Sequence, residues 1–331
     1  MRLLVAGGAG YVGSALIPKL LDRGYKVDVV DLFWFGNNLP RDVAILHKDI
    51  FQLTAEDLER YDQVIFLAGL SNDPMAEFSP SKNFIFNAAA PAYLAYTAKC
   101  AKVKRFIYAS SCSVYGYAED DLYDETRPVS SSYPYGISKL QGEQAARQLA
   151  DESFSVIALR KGTVSGHSPR MRFDLIINAM FRSAMKDRVI TVNNPSIWRP
   201  ILGIDDAVTA YIRAVEADQA LSGIFNVASG NYTVGEVGDL VRDTIEKRLG
   251  TRVNLNIKRV QDFRNYKVST EKARNVLSFH PSADVRSIVG NLVDNMDKYK
   301  DWDNPLFSNI ATFRQLEGGM ETYAMAEAVA R

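Results

Sequence analysis

The sequence predicts an α/β fold, a doubly wound parallel sheet with a smaller, irregular α+β portion for substrate. Three observations predict it. Short, near-continuously apolar runs alternate with longer helical patterns through the first half, as strands covered on both faces require. The first of these runs leads directly into a glycine-rich turn and a helix. After about Ser165 the alternation stops, loops lengthen, and Arg, Asn and Pro cluster in SPRMRFD, NNPSIWRP and KRVQDFRNY.

The expected strands are Leu3–Ala6, Val27–Asp31, Val43–Leu46, Val64–Gly69, Arg105–Ser110 and Val156–Arg160. Helices are expected at Gly13–Arg23, Asn87–Lys102 and Tyr135–Leu149, which makes right-handed βαβ units. Pro18 falls inside the first helix and removes a backbone donor, so a local kink is expected there. Farther on, Phe225–Ser229 reads as a strand, followed by a Thr233 cap and an amphipathic helix. From about Asp301 the chain reads as a packing tail, and no chemistry is assigned to it.

Composition removes several function classes. Lys+Arg and Asp+Glu number 39 each, so no broad basic field invites nucleic acid or an anionic membrane. Two cysteines, Cys100 and Cys112, suggest no disulfide framework, and three histidines form no ligand pair, so no metal is expected. No apolar run approaches transmembrane length, and MRLLVAGGAG is too short and Gly-rich for a signal peptide. A cytoplasmic protein is expected.

In GGAGYVG, Gly7, Gly10 and Gly13 follow the first strand and open the first helix. Such a turn lets the backbone approach a pyrophosphate at a helix N-terminus, although a tight turn without a ligand has the same look. Asp31 ends the second strand, where an acid accepts hydrogen bonds from an adenosine ribose. LFWFG after it holds no Arg or Lys, so a 2′-phosphate would meet a carboxylate without a cation. NAD is expected rather than NADP.

Tyr135 and Lys139 in YPYGISK stand at i, i+4 and share a helix face. A free phenol with a pKa of ~10 is a poor base at neutral pH. A neighbouring lysine and a positive nicotinamide ring would both favour phenolate, which can take a proton from a substrate hydroxyl. Ser111, in SSCSVYG, is the candidate to orient that oxygen.

The ordered set GGAGYVG, Asp31, HKDI, FLAG, SSCSVYG, YGISK, WRP and DFRNY resembles the extended short-chain dehydrogenase/reductases, more narrowly the sugar-nucleotide epimerases and dehydratases. The resemblance implies a pyrophosphate loop of Gly7, Gly10, Tyr11, Val12 and Gly13, a ribose acid at Asp31, and adenine contacts from Asp49 and Ile50. It implies Leu67, Ala68, Gly69 and Asn87 beside the nicotinamide half, and a catalytic set of Ser111, Tyr135 and Lys139, the last two also touching the cofactor. Arg199 and Arg264 match two diphosphate arginines, and Arg172 a phosphate loop. Substrate contacts are thus expected from Ser111, Thr163, Arg172, Arg199 and Arg264.

Two departures bear on activity. In the 4,6-dehydratases an Asp–Glu pair follows the catalytic Ser or Thr, but Cys112 and Ser113 stand here, which disfavours dehydration. Cys112 reads as packing. Where the family has an asparagine, RKGTVSG offers Thr163, with Lys161 just before it.

The expected function is NAD-dependent oxidation at C4 of a nucleotide-diphosphate sugar, as a 4-epimerase or a 4-dehydrogenase. Two alternatives stay open: a non-catalytic NAD-sensing or scaffold protein, and a reductase of a small non-nucleotide carbonyl. Residues 1–165 would form an NAD-binding Rossmann domain, to which about 201–229 returns. Residues 166–200 and 230–300 would form the substrate-binding portion, and 301–331 the C-terminal tail. A homodimer is expected through the helices around Asn87–Lys102 and Tyr135–Leu149.

Overall fold

A computed structural model describes residues 1–129, 131–260 and 264–318. The first half runs β1 (Arg2–Ala6), α1 (Tyr11–Asp22), β2 (Lys26–Asp31), β3 (Ala44–His47), α2 (Ala55–Leu58), β4 (Gln63–Phe66), α3 (Asp73–Phe78), α4 (Pro80–Phe84), α5 (Ala90–Cys100), β5 (Arg105–Ser111), β6 (Tyr117–Tyr123), α6 (Pro134–Arg147) and β7 (Ser155–Lys161). The second half runs β8 (Thr163–Ser165), α7 (Ile176–Asp187), β9 (Val189–Asn193), β10 (Trp198–Gly203), α8 (Ile204–Glu216), β11 (Gly223–Val227), β12 (Gly230–Thr233), α9 (Val234–Leu249), β13 (Asn254–Lys258), β14 (Asn265–Val268), α10 (Glu271–Leu277) and α11 (Val285–Asp294).

Seven parallel strands form the central sheet in the order β11-β7-β5-β4-β1-β2-β3. The chain leaves β1 toward β2 on one side and later returns to β4 on the other. That reversal opens a crevice at the carboxyl edge. The inner strands are mainly apolar because both faces are covered, whereas the edge strand β3 is mostly exposed. Leu3, Val5, Val29, Ile65, Ile107 and Leu159 face one core, whereas Leu4, Ala6, Val30, Val64, Phe106 and Ala158 face the other. Smaller sheets of β12-β10-β8, β13-β9 and β14-β6 stand beyond it.

Several boundaries differ from expectation for local reasons. β4 ends at Phe66, so Leu67–Gly69 are loop; Gly69 adopts φ +133 and takes the chain out of the ladder. β5 and β7 each run one residue farther at the carboxyl end, which pairs Ser111 with Lys161 in register, and β7 also starts one residue earlier, at Ser155. α1 starts at Tyr11 and passes through Pro18 unbroken. The helix expected at Asn87–Lys102 begins earlier: α4 runs through a π-helical turn, Ile85–Ala89, into α5, which ends at Cys100. Pro91 has no N–H for the Asn87 carbonyl, which instead accepts from the Tyr108 hydroxyl at 3.0 Å. α6 crosses this turn at Gly142, where a Cβ would lie 2.3 Å from the same carbonyl. Among the described residues, no helix is long and apolar enough to cross a membrane.

Candidate functional site

A cleft of about 670 Å³ follows the carboxyl edge of the sheet, a size suited to small-molecule binding. At one end β1 turns at Gly7, with φ +76, and its N–H bonds the Val30 carbonyl at 2.8 Å. A Cβ there would meet Ala68 N at 2.5 Å, so only glycine lets the turn lie against the β4 loop. At Gly13 a Cβ would strike the Gly8 carbonyl at 2.3 Å, which keeps α1 tight on its turn. No acidic residue stands in the first turn of α1, and its N-cap, Gly10, supplies no side-chain acceptor, so the N–H groups there suit an anion.

Asp31 accepts from Ala9 N at 2.9 Å and from Phe33 N at 2.8 Å. Burial raises its pKa, and those backbone bonds oppose the rise. Asp49 caps the 3-10 turn Ile50–Gln52 and accepts from Phe51 N at 3.0 Å. The bare glycine turn fits an extended dinucleotide. So do two buried polar atoms without a partner, Arg170 Nε and Asn87 Oδ1.

At the centre, β5 ends on Ser111, whose hydroxyl caps the next turn by accepting from Ser113 N at 3.2 Å. Tyr135, Lys139 and Glu143 lie at four-residue intervals along α6 and share the face toward the sheet. Burial first, and the Asp73 carboxylate second, push the Tyr135 phenol up to about 12; a hydrogen bond from Ser111 and the Arg172 charge oppose them. Lys139 follows one turn farther along α6. Its Nζ lies 4.4 Å from the Tyr108 ring centroid, and burial holds its pKa well below the usual lysine value. The cation that acts on the phenol is Arg172. Lys161 ends β7 beside Ser111, lines the cleft, and is brought down to about 8 by burial and then by Arg172.

Cys112 is buried and donates to the Arg160 carbonyl at 3.1 Å; burial pushes its thiol far up, so it neither ionises nor acts as an acid near neutrality. Ser113 faces the Tyr266 hydroxyl at 3.4 Å. Glu143, behind Lys139, accepts from Ser110 Oγ at 2.6 Å and from Arg160 Nε at 2.9 Å and Nη2 at 2.6 Å.

At the far end Arg199 and Arg264 line the cleft together with Thr163. Arg199 donates to the Arg264 carbonyl, and the Arg264 guanidinium pairs with Asp73 at the start of α3. Arg172 also lines the cleft, but it is held by both Asp174 oxygens, at 2.8 and 3.0 Å, and by Ser71. Its loop is pinned to the cofactor helix: Tyr11 OH donates to the Gly166 carbonyl at 2.6 Å, and Ser168 Oγ to the Tyr11 carbonyl at 2.6 Å.

The cleft wall thus gathers Gly7, Gly10, Tyr11, Val12, Gly13, Asp31, Asp49, Ile50, Leu67, Ala68, Gly69, Ser111, Tyr135, Thr163, Arg172, Arg199 and Arg264. Asn87 and Lys139 stand just behind it. Asn87 donates to the Leu70 carbonyl at 2.8 Å, and its Oδ1 lies where a Cβ on Gly69 would be. Sequence reasoning missed Asp73, Lys161, Arg170, Tyr266 and Asn309, all of which line the cleft. Arg170 lay in a run already singled out, and its spacing from Arg172 was the available signal. Asn309 carried none, because it lies in the tail. Residues 319–331 of that tail, and 262 and 263 of DFRNY, lie outside the described residues.

Comparisons with known proteins agree with this geometry. The UDP-glucose 4-epimerase of Corynebacterium glutamicum is 26% identical over 310 residues, covering 87% of this chain and 94% of that protein. UDP-glucuronic acid decarboxylase 6 of Arabidopsis thaliana is 27% identical over 309 residues, covering 86% of each. The solved structure of MoeE5 in complex with UDP-glucuronic acid and NAD superposes with a TM-score of 0.79 at 25% identity, covering 90% of this chain and 99% of that one. The family model for the NAD dependent epimerase/dehydratase family matches residues 3–228, the stretch that builds the sheet, the glycine turn and the Ser111–Tyr135 pair. By that match the chain belongs to the NAD dependent epimerase/dehydratase family and is an NAD-dependent enzyme.

Proposed function

We propose that this enzyme oxidises C4 of a nucleotide-diphosphate sugar and acts as a 4-epimerase, with net 4-dehydrogenation as the second outcome of the same first step. The observation that carries the reading is that Ser111 and Tyr135 line one cleft together with Arg199 and Arg264. When bound, NAD accepts the C4 hydride as the hydroxyl becomes a ketone. Tyr135 takes the hydroxyl proton, and Ser111 orients the same oxygen. Ser111 and Arg172 draw the phenol toward its ionised form against burial and Asp73. Arg199 and Arg264 fork onto the sugar nucleotide's diphosphate, with Asp73 positioning the second. Epimerisation would be completed when the ketone presents its other face, the hydride held by the reduced cofactor goes back to C4, and Tyr135 returns the proton to the oxygen. The lack of an acid pair at Cys112 and Ser113 argues against loss of water.

In this reading residues 1–165, with 201–229 returning to the sheet, hold the cofactor, and 166–200 with 230–300 hold the sugar nucleotide. The chain pairs as a homodimer through α5 and α6. The test is Tyr135→Phe against UDP-, dTDP-, CDP- and GDP-sugars, scored by NADH absorbance and by epimer analysis. Turnover should fall about 10²- to 10⁴-fold on the accepted sugar. Undiminished turnover removes Tyr135 as the base.

A further inference from the structure

The residues that cover the cofactor end come from far along the chain. Arg170 is 3% exposed, and its guanidinium carbon lies 3.7 Å from the Phe35 ring centroid. Its Nη2 donates to Asn309 Oδ1 at 2.5 Å, but its Nε has no partner although buried. No described carboxylate forms an ion pair with it. Leaving a buried guanidinium half-satisfied is costly, and the cost is recovered when an anion arrives.

The loop carrying Arg170 fixes where that anion must be. Arg170 N donates to Ser14 Oγ on α1 at 3.2 Å, and Ser14 and Ser168 are 2.9 Å apart. The loop therefore lies on the first turns of the helix whose N-terminus faces the glycine turn. Asn309 is fixed in its own right: its Nδ2 donates to Ser71 Oγ at 2.6 Å, and its N–H to Asp174 at 3.2 Å. Arg170 and Asn309 both line the same cleft as Gly7 and Gly10.

We propose that Arg170, positioned by Asn309, is a second ligand for the cofactor's pyrophosphate, closing over it from the substrate side and slowing its escape. A diphosphate is the shared chemistry, and a nucleotide sugar also carries one; attachment to α1 favours the dinucleotide's. The state without ligand accords with this, because burial, then Arg172, pull the Arg170 guanidinium down to about 9. The proposal rests on the NAD assignment and not on the C4 reading, so either can fail alone. Retention of cofactor between turnovers is what a hydride-returning enzyme needs.

The test uses the full chain, stripped of nucleotide and titrated calorimetrically with ADP-ribose, adenosine and UDP. NAD retained by the untreated protein after gel filtration gives a second readout. Arg170→Met should weaken ADP-ribose about 10- to 100-fold and lower retained NAD, because a charge-assisted fork is lost. Adenosine and UDP should change little. Asn309→Ala should move ADP-ribose the same way by about 3- to 10-fold, and Arg170→Lys should fall between wild type and Arg170→Met. The unfolding temperature of stripped Arg170→Met should hold or rise, since an under-neutralised buried charge is gone. Unchanged ADP-ribose affinity overturns the proposal. So does an equal loss for adenosine, which means general distortion, or a loss for UDP instead, which assigns the clamp to the substrate. If Arg170→Met does not fold, Arg170→Lys and Asn309→Ala decide by the same criteria.

Discussion

Glu143 is the peg that fixes the catalytic helix on the sheet, and Glu143→Ala tests how much depends on it. The carboxylate is fully buried and receives three charge-assisted bonds of 2.6 to 2.9 Å from Ser110 and Arg160. Arg160 is 3% exposed, and its guanidinium also donates to the Tyr115 hydroxyl at 3.0 Å. Removing the carboxylate leaves a guanidinium buried without its counter-ion, a defect that costs about 3–5 kcal/mol. Removing both charges together, as Glu143→Leu with Arg160→Met, should cost no more than about 1 kcal/mol, because desolvation of the pair offsets most of its attraction. Urea unfolding followed by circular dichroism measures these proteins, and adding Glu143→Leu and Arg160→Met as single variants completes the double-mutant cycle that isolates the coupling. A single-variant loss below about 1 kcal/mol would falsify the argument, as would a double variant as unstable as Glu143→Ala. A stable double variant also reads function: if the peg sets register, its kcat falls while its affinity for ADP-ribose stays.

Three further outcomes are expected. Gly7→Ala forces an L-residue to φ +76 with its Cβ 2.5 Å from Ala68 N, so the turn must shift; calorimetry should show ADP-ribose affinity collapsing, and intact affinity would mean that the turn does not touch the nucleotide. Lys161, lowered from 10.5 to about 8, binds fewer protons folded than unfolded between those values. Its penalty is full below pH 8 and is relieved as pH rises toward 10.5, so wild type should gain up to about 3 kcal/mol relative to Lys161→Met across that window in urea unfolding. Parallel curves would show that Lys161 is not held this way. Tyr96, 61% exposed on α5, and Phe84, 51% exposed at the end of α4, are the exposed apolar side chains on which the proposed pairing would draw. Tyr96→Glu should shift sedimentation toward monomer, and a wild type that already sediments as a monomer ends the dimer proposal.

The sheet was legible because both-faced burial writes itself as unbroken apolar runs, and Leu3–Ala6 and Val27–Asp31 needed only one extra residue each. The glycine turn, Ser111 and Tyr135 were legible because backbone sterics and helical spacing are local. What the sequence hid depends on distant contacts. The π-turn at Ile85–Ala89 needs Pro91, the Tyr108 hydroxyl and Gly142 at once, and no window holds all three. Lys139 shares a helix face with Tyr135 as expected, but the Tyr108 ring from β5 decides where its ammonium goes. The cations at Arg170 and Lys161 are ordinary in composition, and only burial sets them apart.

Asn309 bonds Ser71 across 238 positions of chain. Contacts so far apart form late, after the neighbouring strand–helix units have assembled. A chain shortened ahead of Pro305 would keep all seven strands of the central sheet and lose this roof. If Arg170 and Asn309 hold the cofactor as proposed, such a fragment would shed its nucleotide on a column with the glycine turn intact, so an empty preparation would report on the tail before it reports on the glycines.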